Sequence, residues 1–568
     1  MSAGEVASPA IPDVDGVAGA GEAGPAPDDS ARRAPSGTSR SMAWVSRCYF
    51  VWLVPASLIL GAVLRTREWL YDKSLWLDEI TVTNQLASRT FGGLLKPLGG
   101  NQGGPVGWLW AERASIDLFG VHELALRLVP WLASLVALGV FPLVCRRLLG
   151  RVVTPTATLL FATSPALIFY AAETKQYSSD TMCALLAVLV TLWLLDRTPD
   201  LRTGLLWGLA CGALTWSSQP AILVTAACAL SLIVRWARNR RALGSVLCGA
   251  VLLGLCLAAE WFVTLRQQSA NDSLQAYWQK FGGYPPTNAS LRQELSWLWR
   301  TFSTFVQQVA HLSLPVVAAV LALWGLATLI RRRPWQGMVV GIVLLAAVGA
   351  AVTRHYPLAD RLALYLLPLL LPLMAAGLAD ADRTPGRRLP GRWSLPVVVL
   401  CILGLAATTA PAVVTGVSKL VQPDERTAGR QAVEFVGRHR QPSDLVLTDR
   451  WGLSTVYFYG PRNHVSVGGV FSFPAAPAGC RSDPLAPLAH YRRVWLLFAH
   501  HPSDEPADRT EIYRSQLAAR ATLVTSFSGA GDAGAYLYDL SLVPTSPAPP
   551  LPRWSKNGCF TITNVRPK

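Results

Sequence analysis

Apolar residues in this chain come in long blocks, broken by short connections rich in arginine. A helix needs about 20 predominantly apolar residues to cross a bilayer. About eleven blocks approach that length, over residues 43–64, 122–145, 153–171, 178–195, 203–217, 220–235, 243–265, 305–330, 335–352, 362–379 and 394–416. The pattern predicts an all-α polytopic membrane domain over 43–416 with about eleven transmembrane helices. After the last block, polar residues return. Short runs such as DLVLTD, STVYFYG and RRVWLLFAH read as strands beside a helical ERTAGRQAVEFVGRHR, so residues 417–568 are expected to form a small C-terminal α/β domain. Ahead of the first block, residues 1–42 are rich in Ala, Gly, Pro, Ser and Asp. Such a segment buries too little apolar surface to offset its ordering entropy and is expected to be a disordered tail. Its acidic start and the long, late first block do not suit a cleaved signal peptide, so the first span is expected to remain as an anchor.

Positive charge sets the expected sidedness. Arg146, Arg147 and Arg151, then Arg197 and Arg202, then Arg235, Arg238, Arg240 and Arg241, then Arg331 to Arg333, then Arg383, Arg387, Arg388 and Arg392 occupy alternate connections. They fall on the same side as Arg32, Arg33, Arg40 and Arg47, which precede the first block. Short basic loops stay in the cytoplasm. The expected protein is a multi-pass plasma-membrane protein with a cytoplasmic N-terminus, and it exposes residues 65–121, residues 266–304 and the C-terminal domain on the outside.

Composition agrees with a membrane chain: 51% hydrophobic, 15% charged and a mean hydropathy of +0.32 over 568 residues. The formal net charge of +16 is largely explained by loops that sit beside anionic lipid, so no nucleic acid partner is expected. No Gly-rich phosphate loop, Cys-x-x-Cys pair or His-Glu-x-x-His string is present, which removes nucleotide-driven transport, structural zinc and zinc-protease chemistry from the expectations. Cys480 and Cys559 lie in the outward domain, where a disulfide is chemically available, and the remaining cysteines sit in or beside apolar blocks as small hydrophobes. Asn271 and Asn288 each begin a glycosylation sequon, a pattern that recurs by chance.

The candidate chemistry begins at Asp78 and Glu79 in SLWLDEITVT, just after the first apolar block. Paired carboxylates at a membrane boundary act as acid–base groups or bind a cation, or they form the charged first turn of a solvated helix near Lys73 and Ser74. Consecutive residues point in different directions, so one base with a supporting neighbour is expected rather than two bases. Fixed cations near the same face would hold an anionic group. Lys175, Arg354 and Arg361 are the candidates, with span-end anchoring as their alternative role. Glu260, near the outer end of a span, must face a cavity or reach the boundary, and is a candidate acceptor-site residue.

The order of strings WLDEI, GNQGGPVGWLW, LFGVHELALRLVPWLASLVALGVFPLVCRRLLG, LLFATSPALIFYAAETKQYSSD and HYPLADRLALYLLPLLLPLM covers roughly residues 65–380. It resembles the membrane glycosyltransferases of the GT-C class, particularly the bacterial relatives of protein O-mannosyltransferases that use polyprenyl-phosphate sugars. The resemblance implies that Asp78 is the catalytic base, with Glu79 assisting, and that Arg361 faces the lipid phosphate. YAAETKQY is similar to the family string Tyr-Ser-Gln-Glu-Ala-Arg-x-Tyr. Lys175 therefore stands where Arg is usual and offers the phosphate a point charge rather than a planar fork. Glu173 and Tyr177 match the same string and are expected beside the sugar, with Arg354 and His355 near the phosphate. GNQGGPVGWLW departs from the family's His-Pro-Pro-Leu-Tyr-Tyr: Pro105 is kept, and Gly or Gln stands where His would be. That departure implies a different acceptor, and Trp108 is expected at the headgroup boundary or stacked on a sugar ring.

The expected reaction moves a hexose such as mannose, or a pentose such as arabinose, from polyprenyl phosphate to a hydroxyl on a protein, lipid or glycan outside the cell. Metal dependence stays open: a Mg²⁺ or Mn²⁺ ion would take Asp78 and Glu79, whereas the mannosyltransferase-like route needs none. The rival readings are a transporter or lipid-linked-sugar flippase, and a catalytically dead relative whose outer domain binds cell-wall glycan. A transporter would place its polar groups near the bilayer midplane in two related halves. No internal repeat is evident here.

Overall fold

The computed structural model describes residues 37–100, 102–269, 272–376, 394–472, 488, 490–500, 509–518, 520–541 and 561–563. The chain divides into two units, Met1–Arg47 and Cys48–Lys568, and the candidate site lies wholly in the second.

Most of that unit is an all-α membrane domain. Among the described residues, seven helices are long and apolar enough to cross a bilayer: Phe50–Leu70, Leu128–Leu149, Tyr177–Leu195, Arg240–Leu265, Pro315–Arg332, Pro334–Val352 and Val399–Ser418. The segments Val153–Ala162 and Pro165–Ala172 make an eighth if they cross as one, bent by 52°. The bend follows from Pro165, which has no N–H to continue the hydrogen-bond ladder and restarts the helix at its first turn. In their described residues, the eleven apolar blocks lie mostly on helical segments. Two of them, Leu201–Ser217 and Pro220–Trp236, are 17-residue helices. The block 362–379 starts with the tight turn Asp360–Leu366, continues as Leu367–Ala375, and ends outside the described residues.

Small residues let the helices approach closely. A Cβ at Gly208 would lie 2.1 Å from the carbonyl oxygen of Gly249, so Leu201–Ser217 and Arg240–Glu260 meet backbone to backbone only because glycine stands there. The basic connections gather at one end of the bundle. Arg147 pairs with Asp196 at 3.0 Å, Arg333 donates to the Arg147 carbonyl, and Arg235 lies over the Trp335 ring. Leu128–Leu149 and Tyr177–Leu195 both begin at the candidate site and end at these loops, separated by about 1.5 Å per residue of helix. Site and basic loops therefore occupy opposite ends of the bundle.

The C-terminal domain is a six-stranded sheet in the order β4-β5-β3-β1-β2-β6, with β1 Leu445–Asp449, β2 Gly469–Ser472, β3 Arg493–Phe498, β4 Thr522–Ser528, β5 Gly534–Asp539 and β6 Thr561–Thr563. β2, β1 and β3 are parallel; β4, β5 and β6 run antiparallel to their neighbours. The sheet does not stand apart from the membrane domain. Leu75, Ile80 and Leu86 of the first loop share one hydrophobic cluster with Ala432, Val433, Tyr459 and Trp495 of the sheet domain. Arg430 donates to Asp72 at 2.8 Å and to Glu123 at 3.0 Å, and the Leu75 N–H donates to the Tyr459 hydroxyl at 2.9 Å. The domain grips the loop that leads into the acid pair.

Candidate functional site

The helix Leu77–Ser88 presents the acids. Trp76 is its N-cap, and the Glu79 carboxylate reaches back to accept from the Trp76 N–H at 2.9 Å, closing the first turn. Ile80, Thr83 and Leu86 recur at helical spacing and are buried, which fixes the rotation of the helix and aims Asp78 away from that core. An acid in the first turn also meets the positive end of the helix dipole.

Asp78 is surrounded by cations. Arg361 Nη2 donates to Asp78 Oδ2 at 2.7 Å, Gln102 Nε2 donates to Asp78 Oδ1 at 3.4 Å, and Lys175 Nζ donates to the Gln102 side-chain oxygen. Burial pushes the Asp78 carboxyl up, but Lys175, Arg361 and the Gln102 hydrogen bond together outweigh it and hold the group below the usual aspartate value. Burial lowers the Lys175 ammonium from its ordinary value despite the pull of Asp78. Asp78 is thus ionised at neutral pH, and its partners are donors that an incoming anion can engage.

Glu79 faces elsewhere. Its Oε1 accepts from Arg127 Nε at 3.1 Å and from the Thr174 N–H at 2.8 Å, and its Oε2 accepts from Arg127 Nη2 at 3.0 Å as well as from Trp76. Arg127 also donates to the carbonyls of Lys73 and Ser74. Although burial raises the Glu79 carboxyl, Arg127 and these hydrogen bonds hold it below its ordinary value. Glu79 is therefore a buried staple joining three stretches of chain around Asp78. Each carboxylate of the pair has its own guanidinium, and among the described residues no group of three or more His, Cys, Asp or Glu is placed to hold a metal ion. The two carboxylates thus turn to different partners rather than converging on one point.

Arg361 sits in the tight turn Asp360–Leu366 with its guanidinium 5.8 Å from the centre of the Tyr177 ring, and Tyr177 packs edge-on against Tyr170 at 5.1 Å. Glu173 is buried and pairs with Arg426 at 2.9 Å. Burial, then the nearby Glu79 charge, raise the Glu173 carboxyl from its ordinary value against the pull of Arg426. The Arg426 guanidinium lies 4.3 Å from the Phe169 ring centre and 5.4 Å from that of Trp76. The structure thus brings Asp78, Glu79, Glu173, Lys175, Tyr177 and Arg361 together.

Three expected residues stand apart. Arg354, at φ 60°, donates to the Pro285 carbonyl at 3.1 Å in the loop 266–304, and His355 is exposed and contacts the Thr353 hydroxyl. Trp108 corrects the sequence reading more sharply. It is 1% exposed within the same hydrophobic cluster as Leu75 and Ile80, so it offers no ring face to lipid headgroups or sugar. On the helix Val106–Phe119, the residues Trp108, Leu109, Glu112, Ser115 and Ile116 are all buried, the period of an inward-facing stripe. Its neighbour Trp110 is the more exposed and donates to the Phe91 carbonyl. Glu260 is buried where its helix widens into the π turn Trp261–Leu265. Asn288 occupies a turn at φ 55°, while Asn271, Cys480 and Cys559 lie outside the described residues.

Sequence reasoning missed Gln102, Arg127 and Arg426. Gln102 had a signal, since a Gln stands in the string where the resembling family has His. Arg426 had none: it follows the last apolar block by ten residues, in a stretch that reads as part of a separate domain.

Residues 103–263 match the family model of the dolichyl-phosphate-mannose-protein mannosyltransferases, and this segment contains the strings from GGPVGWLW to YAAETKQY. No curated protein matches the chain. Among solved structures, the chain is similar to ArnT from Cupriavidus metallidurans in the apo state, at 13% identity and a TM-score of 0.47, over 89% of this chain and 100% of that one. It is also similar to the Archaeoglobus fulgidus oligosaccharyltransferase in complex with zinc and sulfate, at 12% identity and a TM-score of 0.45, over 85% of this chain and 72% of that one. A third is the arabinofuranosyltransferase AftD from Mycobacteria, at 19% identity and a TM-score of 0.43, over 87% of this chain and 40% of that one.

Proposed function

We propose that this protein is a membrane glycosyltransferase that moves a sugar, mannose- or arabinose-like, from polyprenyl phosphate to a hydroxyl at the outer face of the membrane. The observation that carries the proposal is the ionised Asp78 carboxylate held at 2.7 Å by Arg361, with Lys175 linked to it by two hydrogen bonds through Gln102. A general base and a set of phosphate-binding cations then lie within one hydrogen-bonded cluster. The match of residues 103–263 to a mannosyltransferase family supports the reaction class. The outward placement rests on the basic loops, which gather at the opposite end of the bundle and belong in the cytoplasm.

In the proposed step the donor phosphate engages Arg361 and Lys175, which loosens the grip of Arg361 on Asp78. Asp78 takes the proton from the acceptor hydroxyl while that oxygen attacks the anomeric carbon. The bond from that carbon to the phosphate oxygen breaks, its electron pair stays on the phosphate, and the fixed cations stabilise the charge that gathers there. A single displacement inverts the anomeric centre. Glu79 and Arg127 do no chemistry; they hold the backbone that aims Asp78. Arg354 and His355, in the short connection between Pro334–Val352 and Asp360–Leu366, would meet the donor only where that connection borders the site. Radiolabelled transfer from undecaprenyl-phosphate mannose or arabinose by membranes carrying the wild type, set beside Asp78→Asn, tests the reading.

A further inference from the structure

A cavity of about 290 Å³ lies beside the reaction centre, where the last membrane helix gives way to the C-terminal domain. Its walls include Phe169, Tyr170, Asp360, Lys419, Asp424 and Arg426. Three features tie it to the site. Arg426 lines it and pairs with the site residue Glu173. Tyr170 lines it and packs on Tyr177 beneath Arg361. Asp360 lines it, and the next residue is Arg361 itself; the backbone at Asp360 is left-handed, φ 46°.

The charges around the cavity argue for what it holds. Lys419 is already paired with Asp424, and Arg426 with Glu173. Asp360 makes no hydrogen bond or ion pair among the described residues. Three carboxylates, Asp360, Asp424 and Glu425, line the cavity against two cations, Lys419 and Arg426, so an entering anion meets an excess of negative charge. A neutral polyol finds the opposite, because carboxylates accept from hydroxyls, the ammonium and guanidinium donate to them, and the apolar wall of Pro165, Ala166 and Phe169 takes a C–H face. The volume lies at the small end of ligand pockets, which run from about 300 Å³ upward, and suits a sugar unit better than an extended peptide.

We propose that this cavity is the acceptor subsite and that the acceptor is a neutral, hydroxyl-rich saccharide held jointly by the membrane domain and the linker to the C-terminal domain. The inference rests on the transferase reading above. The test uses the full-length protein in lipid nanodiscs with radiolabelled undecaprenyl-phosphate mannose or arabinose as donor. Mannobiose, arabinobiose and a Ser/Thr-containing peptide are offered separately as acceptors. Wild type is expected to label a disaccharide. Asp360→Asn, which removes one charged acceptor, is expected to raise the saccharide KM by about tenfold. Gln308→Trp, which fills the cavity from an exposed position on its rim, is expected to raise it at least as much, with donor KM unmoved for both variants. Saccharide KM unchanged in both variants overturns the assignment. So does a rise confined to donor KM, which would make the cavity the lipid-phosphate site, or labelling of the peptide alone. Failure of the wild type to turn over either donor instead sinks the transferase reading, and this inference with it.

Discussion

Asp78 and Arg361 lie 283 positions apart in the chain, and Arg361 Nη2 meets Asp78 Oδ2 at 2.7 Å. The pair helps hold the carboxylate ionised. In the proposed reaction the donor phosphate competes for the guanidinium, so that one contact would couple donor binding to release of the base.

This coupling has a pH signature. Lys175 and Arg361 hold the Asp78 carboxyl below its ordinary value against burial, so the reactive, ionised form persists above that depressed value and is lost as pH falls through it. The acid limb of kcat/KM for the wild type is expected below the ordinary aspartate range. In Lys175→Gln and Arg361→Gln the limb moves to higher pH, in addition to the lower affinity for donor that losing a phosphate contact brings. A limb at the same pH in all three proteins would detach these cations from Asp78.

Glu79 is expected to act on stability rather than on turnover. Removing one partner of a buried ion pair typically costs about 3–5 kcal/mol, because the other charge is left uncompensated. Glu79→Ala and Arg127→Ala are each expected to lower the thermal midpoint of the detergent-solubilised protein by several degrees or to abolish folding. The charged pair helps while Glu79 is ionised. Since its folded-state value is depressed, that contribution holds above the unfolded-state value and fades as pH falls through the folded one. A folded Glu79→Ala protein with the wild-type midpoint would contradict the staple.

The C-terminal domain is expected to be indispensable. It shares a hydrophobic cluster with the first outer loop, holds Asp72 and Glu123 through Arg430, and is joined to the membrane domain by the stretch that places Arg426 on Glu173. A chain ending at 418 is expected to run as aggregate in gel filtration, or to survive without transfer activity. Arg426→Ala alone leaves Glu173 buried without its partner and is expected to lower activity by at least about tenfold, with partial rescue in Arg426→Lys. Full activity in the truncated chain would show the domain to be a passenger.

Much of this architecture could be read from the sequence, for a simple physical reason. Membrane helices satisfy their own backbone and must be apolar along their length, so in their described residues the apolar blocks from 43–64 to 394–416 lie mostly on helical segments. Asp78 and Arg361 stood out in the strings WLDEI and HYPLADRLALYLLPLLLPLM, whose resemblance to a known family supplied their expected roles. The rest needed tertiary contact. Arg426 reaches the site only because the chain folds back after Ser418, and Arg127 is an ordinary span-end arginine until Glu79 is seen against it. Trp108 misled because tryptophan suits a membrane boundary, yet the spacing Trp108, Leu109, Glu112, Ser115, Ile116 already carried the period of a buried stripe. Of the runs expected as strands, DLVLTD and RRVWLLFAH are β1 and β3, but STVYFYG is the helix Gly452–Tyr459: its buried positions Thr455, Val456, Phe458 and Tyr459 follow a helical face rather than a strand's alternation, and the first loop's share in the domain's core left no local trace.

Asp78→Asn tests the central claim most directly. The substitution keeps size and one hydrogen-bond acceptor but removes the charge that accepts the proton. Radiolabelled transfer from undecaprenyl-phosphate sugar is predicted to fall by at least about a hundredfold, the scale of general-base catalysis, while the protein stays folded in the membrane and still binds donor. Transfer at the wild-type rate would contradict the account.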